Sequence, residues 1–155
     1  MNIGELRDYL QIFSKEGYAK DPGTRNADGS KTIRHTTEDS KWSTTDTYWG
    51  GEPYAGCETV SFEKKPCWSM VYYGTVDSNV KDIENVYRLL RSALDNTDPS
   101  FPVRGPKTFN KGNMTYTNHW NGTLEQFDGI ERILKNGKEI YNATYFGGVV
   151  NQRED

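Results

Sequence analysis

Ile3, Leu6, Tyr9, Leu10 and Phe13 recur at three- and four-residue intervals, a spacing that collects side chains on one face of a helix. They predict a short amphipathic helix over residues 2–14, closed by Gly17. Asp21 to Ser30, with Pro22, Gly23, Asn26 and Gly29, reads as a polar loop. Polar and apolar residues then alternate in strand fashion over 31–37 and 42–48, with a turn at Glu38-Asp39-Ser40. Trp49-Gly50-Gly51-Glu52-Pro53 reads as a second, sharper turn. Val80, Ile83, Val86, Tyr87, Leu90 and Leu94 return to the helical period and predict a helix over about 79–95, capped by Asp77 or Ser78. A proline-rich connector follows, then strands near 113–120, 127–135 and 138–146; Asn136-Gly137 between the last two is a strong hairpin signal. The final NQRED reads as a frayed tail.

The pattern repeats. Residues 54–76 and 127–149 align without a gap: Gly56 with Gly129, Glu58 with Glu131, Tyr72 with Tyr145 and Gly74 with Gly147. Helix-then-strands occurring twice predicts one α+β domain over residues 1–155. Its halves, about 1–76 and 77–150 with a tail at 151–155, are each of an α-β-β-β type. They are expected to form antiparallel sheet with two helices packed on it, about a pseudo-two-fold axis.

Composition sharpens this picture. Ten Tyr, six Phe and four Trp must supply much of the core, each ring burying about 150–250 Å². The net charge of −3 comes with no Lys/Arg block longer than Lys64-Lys65, which argues against direct nucleic-acid binding. No apolar run approaches the roughly 20 residues of a membrane helix, and MNIGELRDYL does not read as a signal peptide. A cytoplasmic location without membrane contact is the expectation.

Two glutamates stand out because each sits among aliphatic residues in the repeat. With a turn at Glu63-Lys64 and no bulge, Glu58 faces Ser69 and Glu131 faces Asn142 across their hairpins. The same register puts Cys57 and Cys67 on opposite faces, so both are expected as free thiols. A carboxylate on an apolar face requires a partner. Each glutamate is then either an internal strut or a cavity anchor for a cationic or hydrogen-bond-donating ligand. Aromatic rings beside a carboxylate suit flat or cationic small molecules. The candidate binding residues are therefore Glu58, Glu131, Trp68, Tyr72, Trp49 and Tyr145.

Other chemistry is sparse. His35 and His119 lack neighbours at metal-ligand spacing, and the chain carries no phosphate loop, nucleophile elbow or Cys–His arrangement. No catalytic residue, metal or cofactor is expected. Arg104-Gly105-Pro106 reads as a rigid turn presenting a solvated guanidinium.

Several short stretches resemble the bacterial family of domain of unknown function 5680. They are Gly17-Tyr18-Ala19, Asp46-Thr47-Tyr48 to Gly50-Gly51, Tyr54 to Val60, Pro66, Trp68-Ser69-Met70 and Tyr72-Tyr73-Gly74. Arg104-Gly105-Pro106, Phe127, Gly129, Glu131, Tyr141, Tyr145 and Gly147-Gly148 complete the set. The resemblance implies a domain found alone or behind an Xre-type helix-turn-helix domain; the latter is not expected here. It implies no catalytic residues. The leading expectation is a non-enzymatic small-molecule sensing or binding domain, for cationic or aromatic compounds. The alternatives are a protein-interaction factor of an immunity or anti-defence kind, for which a homodimer is one form, and a hydrolase or isomerase using a glutamate.

Overall fold

Leu6, Tyr9, Leu10 and Phe13 form one buried stripe on the first helix, α1 (Ile3–Lys20). In this computed structural model, which describes residues 1–20, 23–151 and 153, the helix runs past Gly17 instead of stopping there. The glycine is needed for space: a Cβ there would lie 2.2 Å from the Phe13 ring. The second helix, α2 (Ile83–Leu94), buries Val86, Leu89, Leu90 and Ala93. It starts later than the spacing predicts, because the cap is Asp82, whose carboxylate accepts from the Asn85 N–H at 3.2 Å. Asp77 instead closes its own turn by accepting from the Asn79 N–H at 2.8 Å. Replacing Asp82 by alanine is expected to cost about 1 kcal/mol, read as a lowered urea midpoint with an unchanged slope.

The strands are β1 (Thr24–Arg25), β2 (Lys31–Thr36), β3 (Trp42–Gly50), β4 (Tyr54–Phe62), β5 (Lys65–Val76), β6 (Thr108–Lys111), β7 (Met114–Thr123), β8 (Gln126–Lys135) and β9 (Lys138–Val149). They make one antiparallel sheet in the order β1-β2-β3-β4-β5-β9-β8-β7-β6. The fold is therefore α+β, with two helices and one nine-stranded sheet. β1 and β6 are short edge strands beyond those the alternation predicts, and short edges limit pairing with other chains. The Asp21–Ser30 loop expectation falls partly on Asp21 and Pro22, and the tail expectation partly on Gln152, Glu154 and Asp155, all outside the described residues.

The hairpin register differs from the expected one by a residue. A bulge at Cys67 in β5, opposite Val60/Ser61, and another at Ile140 in β9, opposite Ile133/Leu134, shift the pairing. Glu58 therefore lies opposite Met70, not Ser69, and Glu131 opposite Ala143, not Asn142. The shift moves Met70 and Tyr72 onto the face of the glutamates, and Ser69, Val71 and Tyr73 onto the other.

Both helices cover the glutamate face. α1 packs over Ile33, Val60, Trp68, Met70 and Tyr72, while α2 packs over Tyr116, Ile133, Tyr141 and Ala143. The opposite face carries Cys57, Thr59, Ser69, Val71 and Ile130, with Tyr73 and Phe146 54% and 60% exposed. Both cysteines are free: Cys67 is buried in the α1 core, and Cys57 sits on the open face with Sγ 3.6 Å from Ser69 Oγ. Among the described residues, no helix is long and apolar enough to cross a membrane.

Candidate functional site

Between the helices and the sheet lies a buried polar network. Its hub is Glu131, which is 0% exposed. Arg104 donates to Glu131 Oε2 from Nε at 3.1 Å and from Nη2 at 2.8 Å. Tyr116 donates to Oε1 at 2.5 Å and Tyr141 to Oε2 at 3.5 Å. Arg104 is thus buried and ion-paired, not solvated as its turn sequence suggests. Its backbone takes the left-handed conformation (φ 62°), uncommon for a residue with a side chain. Burial acts to lower the Arg104 pKa, but the Glu131 carboxylate and the surrounding tyrosines outweigh it and hold the pKa well above the usual value. Burial, and then Glu131, push the Tyr116 and Tyr141 hydroxyls well up. Among the described residues every buried side-chain N and O atom has a partner.

The same layer opens to solvent in one place. A cleft of about 590 Å³ lies between α2 and strands β2–β5. Asp46, Tyr72 and Arg104 line its deep end; Ile33, Tyr48, Tyr54, Tyr87, Leu90 and Leu94 form its walls; Lys31, Arg88, Arg91, Ser92 and Asp95 stand at its mouth. Three of the four tyrosine rings of the cleft, Tyr54, Tyr72 and Tyr87, are fixed by their hydroxyls. Tyr72 donates to Asp46 Oδ1 at 2.7 Å, Tyr54 and Tyr141 share a 2.6 Å bond, and Tyr87 donates to Glu52 Oε2. Glu52 in turn holds the end of β5 by accepting from the Val76 N–H at 2.7 Å and from the Thr75 hydroxyl at 2.9 Å. Tyr54 meets Tyr72 at 6.0 Å and Tyr87 edge-on at 5.9 Å, and the Arg104 guanidinium lies over the Tyr72 ring at 5.1 Å. Tyr72 can lie flat on the sheet because its partner is Gly56, where a Cβ would be 2.2 Å from the ring. Burial, then Asp46, push the Tyr72 hydroxyl far up.

Asp46 pairs with Glu58 across β3 and β4, so two buried carboxyl groups sit side by side on one face. Glu58 is set back from the cleft and lines an internal gap of about 20 Å³ with Leu10, Phe13, Trp68 and Arg104. Of the six residues singled out by sequence, Tyr72 lines the cleft and Glu58 adjoins its floor through Asp46. Glu131 is sealed one layer away. Trp68 is core, its Nε1–H donating to Leu124 O at 3.0 Å. Tyr145 is core as well and donates to Asn118 Oδ1 at 2.7 Å. Trp49 is 46% exposed and donates to Asp28 at 3.3 Å, away from the cleft.

Sequence reasoning passed over Asp46, Tyr48, Tyr87 and Arg104. A signal existed for two of them. Asp46 alternates with Thr44 and Tyr48 on one face of a strand, and Arg104 directly follows the apolar run Phe101-Pro102-Val103. A larger, shallower depression of about 860 Å³ at the end of β9 has only exposed charged groups, Glu125 and Asp128. Its glycines serve backbone contact: a Cβ on Gly147 would lie 2.2 Å from Ser69 O. Among the described residues no group of His, Cys, Asp and Glu could hold a metal ion.

No curated protein and no solved structure matches the chain. The family described as domain of unknown function (DUF5680) matches residues 46–150, a span that starts at Asp46 and takes in both helix-covered glutamates, Arg104 and every cleft residue except Lys31 and Ile33. The chain belongs to the DUF5680 family.

Proposed function

We propose that the chain is a non-enzymatic small-molecule-binding domain whose site is the cleft between α2 and strands β2–β5. The observation that carries this reading is a solvent-connected cleft lined by four tyrosine rings, three of which, Tyr54, Tyr72 and Tyr87, have hydroxyls that are already engaged. Such rings offer faces for stacking without an entropic cost of ordering. The volume of about 590 Å³ lies within the usual range for ligand sites, about 300–1,000 Å³. Glu131, held by Arg104, Tyr116 and Tyr141, is poorly placed as a general base, which favours binding over catalysis. The free thiols Cys57 and Cys67 accord with the expected cytoplasmic setting.

The domain is further read as two related halves about a pseudo-two-fold axis through the seam between β5 and β9, where Tyr72 lies directly opposite Tyr145. Several pairs support this. Tyr72 lies over Gly56 and Tyr145 over Gly129, each 2.2 Å from a built Cβ. Tyr72 donates to Asp46 and Tyr145 to Asn118, both at 2.7 Å. Asp46 pairs with Glu58 as Asn118 pairs with Glu131.

Thermal denaturation across a library of small aromatic and cationic compounds tests the site. A ligand at a hundredfold excess over its Kd adds about 2.7 kcal/mol of stability. Ser92→Trp, which puts an indole at the mouth, is expected to abolish that shift while leaving the unliganded Tm within a few degrees. A library with no stabilising compound, or a shift that survives Ser92→Trp, overturns the assignment.

A further inference from the structure

The second half of the sheet fills, with its own chain, the space that corresponds to the cleft. Phe101, in the connector between α2 and β6, stacks on Trp120 at 4.8 Å and 11° and meets Phe127 edge-on at 5.4 Å and 81°. Trp120 lies opposite Gly129 just as Tyr48 lies opposite Gly56. Phe127 stands 6.1 Å from Tyr145, as Tyr54 stands 6.0 Å from Tyr72. The two rings that grip Phe101 therefore have counterparts, Tyr48 and Tyr54, on the walls of the cleft, with Tyr72 behind them as Tyr145 stands behind Phe127. Phe101 is in effect a bound ligand that the chain carries covalently.

The two spaces differ in chemistry at their floors. Asn118 presents both an acceptor, used by Tyr145, and an amide donor, used by the Gly105 carbonyl at 2.8 Å. Its counterpart Asp46 puts a carboxyl group at the same place, with the Glu58 carboxyl on the adjacent strand. With a carboxyl group where the second half has an amide, this end of the cleft suits a hydrogen-bond donor or a cation. The mouth has the opposite character. Arg91 is engaged by Glu84 at 2.5 Å, and Lys31 and the exposed Arg88 outnumber the single carboxyl of Asp95 at the entrance.

Resting on the cleft as the binding site, we propose that its ligand is a flat aromatic ring stacked on Tyr48 as Phe101 stacks on Trp120. One end of this ligand is a cationic, hydrogen-bond-donating group directed at Asp46; the other is an anionic group met by Lys31 and Arg88. Each part has its own reason: the ring matches the tyrosine walls, the head matches the Asp46 carboxyl, and the tail matches the net positive charge of the mouth.

Three probes separate these parts: 4-amidinobenzoate, which has head, ring and tail; benzamidine, which lacks the tail; and benzoate, which lacks the head. Affinities are read by NMR titration of the protein, following the tyrosine ring resonances. The expected result is that 4-amidinobenzoate perturbs Tyr48 and binds at least about tenfold more tightly than either partial probe. Asp46→Asn, which installs the side chain of the second half, is expected to bring 4-amidinobenzoate down to the affinity of benzoate. Arg88→Ala, at an exposed position, is expected to bring it to that of benzamidine and keeps the test decisive should Asp46→Asn misfold. If benzoate binds as tightly as 4-amidinobenzoate and Ser92→Trp removes both, the ligand class is wrong and the cleft stands. If every probe binds equally to the Ser92→Trp protein, or none binds at all, the ligand class fails; the library screen then decides the cleft itself.

Discussion

Above pH 10 the protein is expected to lose stability steeply and unfold within about one pH unit. Five tyrosines, Tyr9, Tyr72, Tyr116, Tyr141 and Tyr145, are buried, and each has a raised pKa. Burial pushes Tyr9 up to about 12 and pushes the others further, with nearby carboxylates adding to the shift at each. A tyrosine with a raised folded pKa keeps its proton while the unfolded chain, titrating near 10, gives it up. The unfolded state then binds fewer protons, so stability is intact below about pH 10 and falls as pH rises towards the folded values. One unit above the unfolded pKa the loss is about 1.4 kcal/mol per tyrosine, or about 7 kcal/mol for the five. Typical domains have only about 5–15 kcal/mol in total. Near-ultraviolet absorbance should show these hydroxyls ionising together with the loss of far-ultraviolet circular dichroism. Ionisation of all five near pH 10 in a chain that keeps its dichroism would contradict the burial described.

Arg104→Met is expected to destabilise the protein by about 3–5 kcal/mol, because it leaves the Glu131 carboxylate sealed without its cation. The side chains of this pair are 5% and 0% exposed, so water cannot take over. Glu131→Gln should be costly too, since it strands the guanidinium and weakens the bonds from Tyr116 and Tyr141. The double variant Arg104→Met/Glu131→Gln should recover part of the loss, giving a coupling of the kind that close pairs show in double-mutant cycles. Urea denaturation of the four proteins measures this. A loss below about 1 kcal/mol for Arg104→Met, the range of exposed pairs, would show that the bridge is not sealed in solution.

Much of this architecture was legible in the sequence, and what was not has identifiable physical causes. Helical spacing located both helices, and alternation with turn residues located most strands, because each signal depends on residues near in sequence. The hairpin register differs by one from the simple alternation, since the bulges at Cys67 and Ile140 add a residue without any sequence marker. That slip changed the glutamates' neighbours from Ser69 and Asn142 to Met70 and Ala143. Arg104 was read as solvated because its partner, Glu131, is 27 residues away. Such pairing leaves no trace in local pattern. Asp46 draws less notice in the sequence than the two aligned glutamates, yet it is the buried acid that lines the cleft, while Glu131 is sealed away from it.

The seam between β5 and β9 bears on how the chain reaches this state. Every other pair of neighbouring strands consists of consecutive segments, so hairpins can assemble on either side by local search. β5 and β9 meet only after the whole stretch from α2 to β8 has been drawn into a closed loop, and that entropy loss falls on a single event. The 2.6 Å bond between Tyr54 and Tyr141, and the contacts of Arg104 with Tyr72 and Glu131, tie the same two groups of strands together. The polar hub is therefore expected to be completed only when the two groups of strands dock, and the cleft beside it with them.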